Sequence, residues 1–213
     1  RGRVRNPPPK TLPVSGDPVI PLVGLTGGIG VGKSTALDAL EHLGAAVLST
    51  DRVVHELYES DDVQSLITER FGPAVAPSGT VDRAAIAERA FARPEDRAWL
   101  EETLWPRVGA RMAQWREEQV RLSPPPRVAV VEVPLLFESG MEQAFDATIA
   151  IVADEQVRRD RASAREHRSL DERTARQLSQ EEKATRATYV VANNGTVEQL
   201  ERALSSVLAN LQQ

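Results

Sequence analysis

A glycine-rich segment near the start of the chain carries the pattern Gly-x-x-x-x-Gly-Lys-Ser. Small residues let successive backbone N–H groups converge on phosphate oxygens, and a helix that follows such a loop points its positive end at them. In this pattern Lys33 reaches the β- and γ-phosphates, and the Ser34 hydroxyl ligates Mg²⁺. The segment therefore predicts a nucleoside triphosphate site rather than a structural turn. The predicted nucleotide-binding residues are Gly27, Gly28, Ile29, Gly30, Val31, Gly32, Lys33, Ser34 and Thr35.

Two carboxylates follow apolar runs and are candidates for phosphoryl-transfer chemistry. Asp51 comes just after a short run at the position where open α/β sheets bind ligands, so it could orient or deprotonate a hydroxyl acceptor. A helix follows, and capping that helix is an equal alternative for Asp51. Glu132 ends another run and could orient metal-bound water, the alternative being a strand-end acid that faces solvent. Spacing alone supports no more than a P-loop kinase or NTPase.

A cluster of arginines later in the chain could stabilise negative charge on a phosphoryl group during transfer. A solvated helical hairpin with ion pairs within its helices is the alternative for this stretch. The arginines are Arg158, Arg159, Arg161, Arg165, Arg168, Arg173 and Arg176.

Short apolar runs predict the strands that must position these residues. Helical segments separate the runs, and this alternation predicts an α/β fold of three layers, with a parallel sheet covered by helices on both faces. A helix is expected from about Ser34 to Leu43, ended by Gly44, and a last helix after the capping box of Thr196 and Gln199. The predicted strands are residues 19–25, 45–48, 128–133 and 147–152.

Composition and charge narrow the class of protein. The 213 residues suit a single domain, expected over 18–213 after a flexible basic, proline-rich tail, 1–17. The chain has no cysteine, which excludes disulfides and thiolate sites, and no apolar run of about 20 residues that could span a bilayer. Four basic residues and no acid lie in residues 1–16, so the remainder is acidic, which argues against nucleic acid as a partner. We expect a cytoplasmic protein.

Several segments together resemble the dephospho-CoA kinase family. The P-loop is preceded by Gly24-Leu25-Thr26, and Val133-Pro134-Leu135-Leu136-Phe137-Glu138-Ser139-Gly140 is more specific, because other small-molecule P-loop kinases generally lack it. The similarity spans roughly residues 19–211. Further similar segments are Phe145-Asp146, Asp82-Arg83, Gln177 with Glu181-Glu182-Lys183, and Asn193-Asn194-Gly195.

The resemblance implies an ATP-dependent transfer of phosphate, with Mg²⁺, to the ribose 3′-hydroxyl of dephospho-CoA. It implies a nucleotide-binding core over 18–52, 127–154 and 184–213, a helical acceptor-binding subdomain over about 53–122, and a lid over about 155–180. Asp51 would take the proton of the hydroxyl, and the partners would be ATP and dephospho-CoA, in a monomer or weak homo-oligomer that uses neither nucleic acid nor membrane. The implied catalytic residues are Lys33, Asp51, Arg161 and Arg165. The residues implied to contact the acceptor are Asp51, Arg83, Trp105, Pro106 and Leu135. Asn194 would lie near the adenine, and Ser34 and Glu132 would bind the metal or its water ligands.

The chain departs from the family's usual pattern at a few positions. Ser49 stands where an aspartate is usual, and Trp105 stands where the family often has histidine. Gly109 replaces an expected arginine, for which Arg107 or Arg111 could substitute. Two alternatives stay open: another small-molecule or nucleoside monophosphate kinase, and a non-catalytic nucleotide-binding switch, whose Asn-Lys-x-Asp guanine motif is absent from the sequence.

Overall fold

The computed structural model describes residues 20–77, 79–163 and 177–211. These residues form two compact units. One, which we call the sheet unit, contains residues 20–49 and the described residues from Arg116 onward. The other, the helical unit, is the stretch Thr50–Trp115.

A parallel sheet organises the sheet unit. Its strands are β1 Leu22–Gly27, β2 Ala46–Ser49, β3 Ala129–Glu132, β4 Ala147–Val152 and β5 Tyr189–Ala192, in the spatial order β2-β3-β1-β4-β5. The predicted α/β class with a parallel sheet is confirmed, and so are the four predicted strands, whereas β5 was not predicted. Because β1 lies between β3 and β4, its carboxyl end is the topological switch point at which open α/β sheets bind ligands.

The described residues also form α-helices in both units. The predicted helix after the P-loop is confirmed, and Gly44 follows it with a left-handed φ of 85°. The predicted capping box of Thr196 and Gln199 is also present. In chain order the helices are α1 Lys33–His42, α2 Thr50–Glu59, α3 Asp61–Phe71, α4 Arg83–Ala92, α5 Pro94–Val120, α6 Glu155–Ser163, α7 Gln180–Arg186 and α8 Val197–Asn210.

The core of the sheet unit joins β1 and β4 to α1 and α8. Val23 and Leu25 of β1 are fully buried, as are Leu40 of α1 and Leu204 of α8. β1 is buried along its whole length, which is why its sequence is a continuous apolar run rather than an alternating one. This packing fixes the position of the glycine-rich loop, which begins at the carboxyl end of β1.

The helical unit has a core of its own. Ile67 of α3, Ile86 of α4 and Leu100 of α5 are buried in it. A buried carboxylate, Asp96, accepts a hydrogen bond of 3.0 Å from Arg70, so its charge is paired. Among the described residues, no helix combines the length and the apolar composition needed to cross a membrane.

Candidate active site

The glycine-rich loop runs from the end of β1 into the first turn of α1. The residue that caps α1 is Gly32, whose φ of 86° lies in the left-handed region, and no side chain caps the helix. The first backbone N–H groups of a helix carry the positive end of its dipole and lack partners within the helix. The start of α1 is therefore a site that favours phosphate oxygens.

The ammonium group of Lys33 lies over the loop that precedes it. Its Nζ donates hydrogen bonds to the carbonyl oxygens of Gly27, at 3.1 Å, and Gly28, at 3.3 Å. These carbonyl oxygens carry no net charge, whereas phosphate oxygens are anionic and add a Coulomb attraction to the ammonium. Phosphate oxygens that reach this loop would therefore compete well for the Lys33 ammonium.

The outer side of the loop packs against α6 and the segment after β5. A Cβ placed on Gly30, whose φ is 79°, would lie 2.8 Å from the carbonyl oxygen of Arg158. A Cβ on Gly32 would overlap the side-chain amide of Asn193. Both positions need glycine for their backbone conformation and for this close approach.

Polar side chains of the sheet unit hold the loop's main chain from outside. Arg158 Nε donates to the carbonyl of Ile29 at 3.2 Å, and Arg161 Nη1 donates to the carbonyls of Val31 and Asn193 at 3.4 and 3.0 Å. The buried Asn193 side chain donates to Val31 at 2.8 Å. Arg161 therefore contacts the main chain of the P-loop.

Sequence reasoning chose Asn194 and missed Asn193. Asn194 accepts a hydrogen bond of 2.7 Å from the backbone N–H of Asp154 and contributes to the turn after β5. Asn193 contacts the P-loop because it follows β5 directly, and a recognised fifth strand would have identified it. Arg165 and the other predicted lid residues between 164 and 176 lie outside the described residues.

Glu132 and Ser49 meet at the carboxyl edge of the sheet. They are paired in the register of β2 and β3, and Ser49 Oγ donates a hydrogen bond of 2.7 Å to Glu132 Oε2. Glu132 is only 7% exposed, so the alternative of a strand-end acid facing solvent is wrong. Its partner in the register of β1 is Leu25, two residues before Gly27. The carboxylate therefore belongs to the strand next to the one that enters the P-loop.

The remaining predicted residue of the sheet unit, Leu135, lies in the segment after β3. Its side chain is half-buried, and its carbonyl accepts hydrogen bonds from the backbone N–H and the hydroxyl of Ser139. These bonds fold the segment that resembles the family's Pro-Leu-Leu-Phe-Glu stretch into a compact turn.

Asp51 and Arg83 both stand at helix starts in the helical unit. Asp51 is exposed. Because it is the second residue of α2, it lies within the first turn and is not the residue that caps the helix. Arg83 begins α4 after the cap residue Asp82, whose carboxylate accepts from the next backbone N–H groups. Burial raises the pKa of Tyr58 above its usual value, while the positive charge of Arg83 opposes that shift.

Trp105 and Pro106 lie on the surface of α5. The Trp105 side chain is 45% exposed and lines a shallow groove with Pro106 and Ala98. Gly109 has open space where a side chain would be. Of the substitutes for the family's arginine, Arg107 pairs with Asp62 at 3.2 Å. A side-chain hydrogen bond with Ser60, followed by the one with Arg107, holds the pKa of Asp62 below its usual value.

The residues present fit a magnesium ion that is bound mainly by its substrate. Ser34 is exposed in the first turn of α1, and Glu132 offers carboxylate oxygen at the neighbouring strand end. Mg²⁺ prefers oxygen ligands, keeps several waters, and is usually held by one or two protein groups plus phosphates. In the described part of the chain, no three acidic or histidine side chains are grouped as a metal site. An ion held mainly by substrate phosphates does not need such a group.

Comparisons with known proteins agree over nearly the whole chain. The sequence profile of the dephospho-CoA kinase family matches residues 21–199. A dephospho-CoA kinase from Deinococcus radiodurans is 39% identical over 193 residues, covering 89% of this chain and 92% of that protein. A crystal structure from Thermus thermophilus superposes with a TM-score of 0.77 at 36% identity, covering 91% of this chain and 99% of that one. A dephospho-CoA kinase structure from Campylobacter jejuni, 22% identical, shares the fold with a TM-score of 0.64 over 90% of this chain and 96% of that one.

Proposed function

This chain belongs to the dephospho-CoA kinase family, and on that premise we propose that it phosphorylates the ribose 3′-hydroxyl of dephospho-CoA with ATP, giving CoA and ADP. In this reaction the bond from the γ-phosphorus to the β–γ bridging oxygen breaks, and a new bond forms to the ribose oxygen. The hydroxyl proton is released and ADP leaves. The observation that carries the proposal is the family match, which includes both the P-loop and the segment from Val133 to Gly140.

The sheet unit supplies the groups that bind ATP. The first N–H groups of α1 bind phosphate oxygens, and Lys33 exchanges its loop carbonyls for the β- and γ-phosphates. Arg161 and Arg165 neutralise charge on the transferred group, and the hydrogen bonds of Arg161 to Val31 and Asn193 support its placement beside the loop. Asn194 contributes to the adenine side.

Mg²⁺, when bound with ATP, would offset the negative charge of the phosphates. Ser34 would hold the ion through its hydroxyl, and Glu132 would orient its water ligands through the carboxylate that Ser49 already fixes. The serine at position 49 thus orients Glu132 where the family's usual aspartate would add a further negative charge.

The helical unit supplies most of the groups that bind the acceptor. Asp51, exposed in the first turn of α2, accepts the proton of the ribose hydroxyl. A loose transition state demands little proton transfer early, so alignment of the acceptor supplies much of the acceleration. Arg83, Trp105, Pro106 and Leu135 bind the rest of the acceptor. The expectations of a cytoplasmic location and of a monomer or weak homo-oligomer stay predictions.

The test is an ADP-release assay with Mg·ATP, with and without dephospho-CoA, and identification of the product by mass spectrometry. We expect a product one phosphate heavier that requires both substrates, and loss of that product in the Lys33→Ala variant. Parallel reactions with nucleoside monophosphates and other small hydroxyl acceptors test the main alternative. Transfer to one of these acceptors and none to dephospho-CoA would overturn the proposal.

A further inference from the structure

Lys183 of α7 is a fully buried cation to which the proposed mechanism gives no role. Its side chain is 0% exposed, and its Nζ lies 2.9 Å from Glu138 Oε1. The same nitrogen donates to the carbonyl of Pro134 at 2.7 Å and to Thr26 Oγ1 at 3.4 Å. A buried ammonium is costly unless it is paired and hydrogen-bonded, and these three partners satisfy its three donors.

Glu138 is the anion of this buried pair, and its side chain is 13% exposed. Besides the Lys183 ammonium, its Oε1 accepts a hydrogen bond of 2.8 Å from the backbone N–H of Leu178. The carboxylate thereby joins the segment after β3 to the residues that lead into α7. Both charged groups come from segments that resemble the family's pattern, and neither is exposed enough to contact a substrate directly.

The partners of Lys183 lead to the two sides of the nucleotide site. Thr26 precedes Gly27, whose carbonyl holds the Lys33 ammonium. Pro134 follows Glu132 by two residues, and its carbonyl also accepts from the Thr26 hydroxyl at 3.2 Å. Lys183 and Thr26 therefore converge on one carbonyl and connect the end of β1 to the chain leaving β3.

We propose that Lys183 and Glu138 form a buried positioning pair that sets the separation between the P-loop and the strand end carrying Glu132. The inference rests on the proposed function, for which those two elements hold ATP and its metal. A purely stabilising role is a poor explanation, because well-packed neutral residues often replace a buried ion pair with no loss of stability. Neutral apolar residues would lack the directional hydrogen bonds by which the Lys183 ammonium holds Pro134 and Thr26 in position.

The test is the double variant Lys183→Met with Glu138→Gln, which removes both charges and keeps an acceptor for the Leu178 N–H. We expect a melting temperature near that of the wild type. Small displacements of reacting groups reduce rates steeply, so kcat should fall roughly tenfold or more, and the Kd of Mg·ATP, measured with a fluorescent analogue, should rise several-fold. The KM for dephospho-CoA should stay unchanged, which separates positioning of the nucleotide site from a general loss of structure.

A matched control uses the neighbouring ion pair of the same helix. Arg186 of α7 pairs with Glu142, and both are more exposed than the buried pair. The double variant Arg186→Met with Glu142→Gln should keep the wild-type kcat and Kd. If the Lys183 and Glu138 double variant folds and keeps both constants, the proposal is wrong.

If that double variant does not fold, Thr26→Val gives a second test because it removes one hydroxyl and no charge. We expect kcat to fall several-fold and the melting temperature to fall by only a few degrees, because the buried ammonium loses one of its three acceptors. Wild-type kinetics in this variant would overturn the proposal. If the wild-type enzyme phosphorylates dephospho-CoA, the proposed function holds, and wild-type kinetics in the variant then count against the positioning pair alone. The nucleotide Kd reports on positioning whichever acceptor the enzyme uses.

Discussion

The sheet unit and the helical unit hold their candidate functional side chains in different ways. In the sheet unit, Lys33 and Asn193 donate to main-chain carbonyls of the P-loop, so backbone geometry fixes their positions. In the helical unit, Asp51, Arg83 and Trp105 are exposed on helices. The nucleotide side is thus preorganised by the main chain, whereas recognition of the acceptor depends on exposed side chains.

This difference accounts for two of the positions at which the chain departs from its family's usual pattern. Gly109 and Trp105 lie on the surface of α5, where a replacement changes a contact without changing the fold. Gly32 has no such freedom, because its φ of 86° and the adjacent Asn193 amide exclude a side chain. Variants in the sheet unit should therefore change the binding and use of ATP, whereas variants in the helical unit should change the use of the acceptor.

The largest effect is expected for Lys33→Ala in the sheet unit. The Lys33 ammonium offsets negative charge on the phosphoryl group during transfer. Without it, kcat should fall on the order of 10³-fold. The melting temperature should change little, because Lys33 is partly exposed and its ammonium donates to carbonyl oxygens of its own loop. Steady-state kinetics measures the loss, and a variant with near wild-type kcat would remove Lys33 from the mechanism.

The next effect is expected for Asp51→Asn in the helical unit. Because an amide cannot accept the hydroxyl proton in the same way, kcat should fall by about 10²–10³-fold. The Kd of Mg·ATP should be nearly unchanged, which a nucleotide titration can measure. Equal losses of turnover and of ATP affinity would contradict the division of roles between the two units.

A stability variant tests whether the helical unit is organised independently of ATP binding. Asp96→Asn breaks the charge pair with Arg70 and should lower the free energy of unfolding by about 1–2 kcal/mol, since Asp96 is buried but Arg70 is partly exposed. Chemical denaturation measures this change. The control is Glu117→Gln, whose pair with Arg121 is well exposed and should contribute no more than about 0.5 kcal/mol. A loss of ATP affinity in Asp96→Asn would show that the two units are coupled.

The smallest effect is expected for Trp105→Ala. Loss of an exposed aromatic contact should raise the KM for dephospho-CoA by about three- to tenfold, with the KM for ATP unchanged. Trp105→His, which restores the family's usual residue, should keep a KM within a few-fold of the wild type. If Trp105→Ala changes neither constant, the groove on α5 takes no part in acceptor binding.

The sequence predicted what local patterns determine. The P-loop, α1 and the capping box of α8 each depend on a few neighbouring residues. β5 was missed because Tyr189–Ala192 is too short for periodicity to show, and its pairing with β4 joins residues about 40 positions apart. The burial of Lys183 could not be read from a charged helical stretch, since only packing of α7 against the sheet reveals it.

The measurement that tests the central claim most directly is the position of the new phosphate in the purified product. Two-dimensional phosphorus–proton NMR of the product formed from Mg·ATP and dephospho-CoA identifies the ribose carbon that bears it. We predict a single new phosphate coupled to the proton at the ribose 3′ carbon, in a product identical to CoA. A phosphate at the 2′ carbon, or a dephospho-CoA that remains unmodified while ATP is bound, would contradict the proposed reaction.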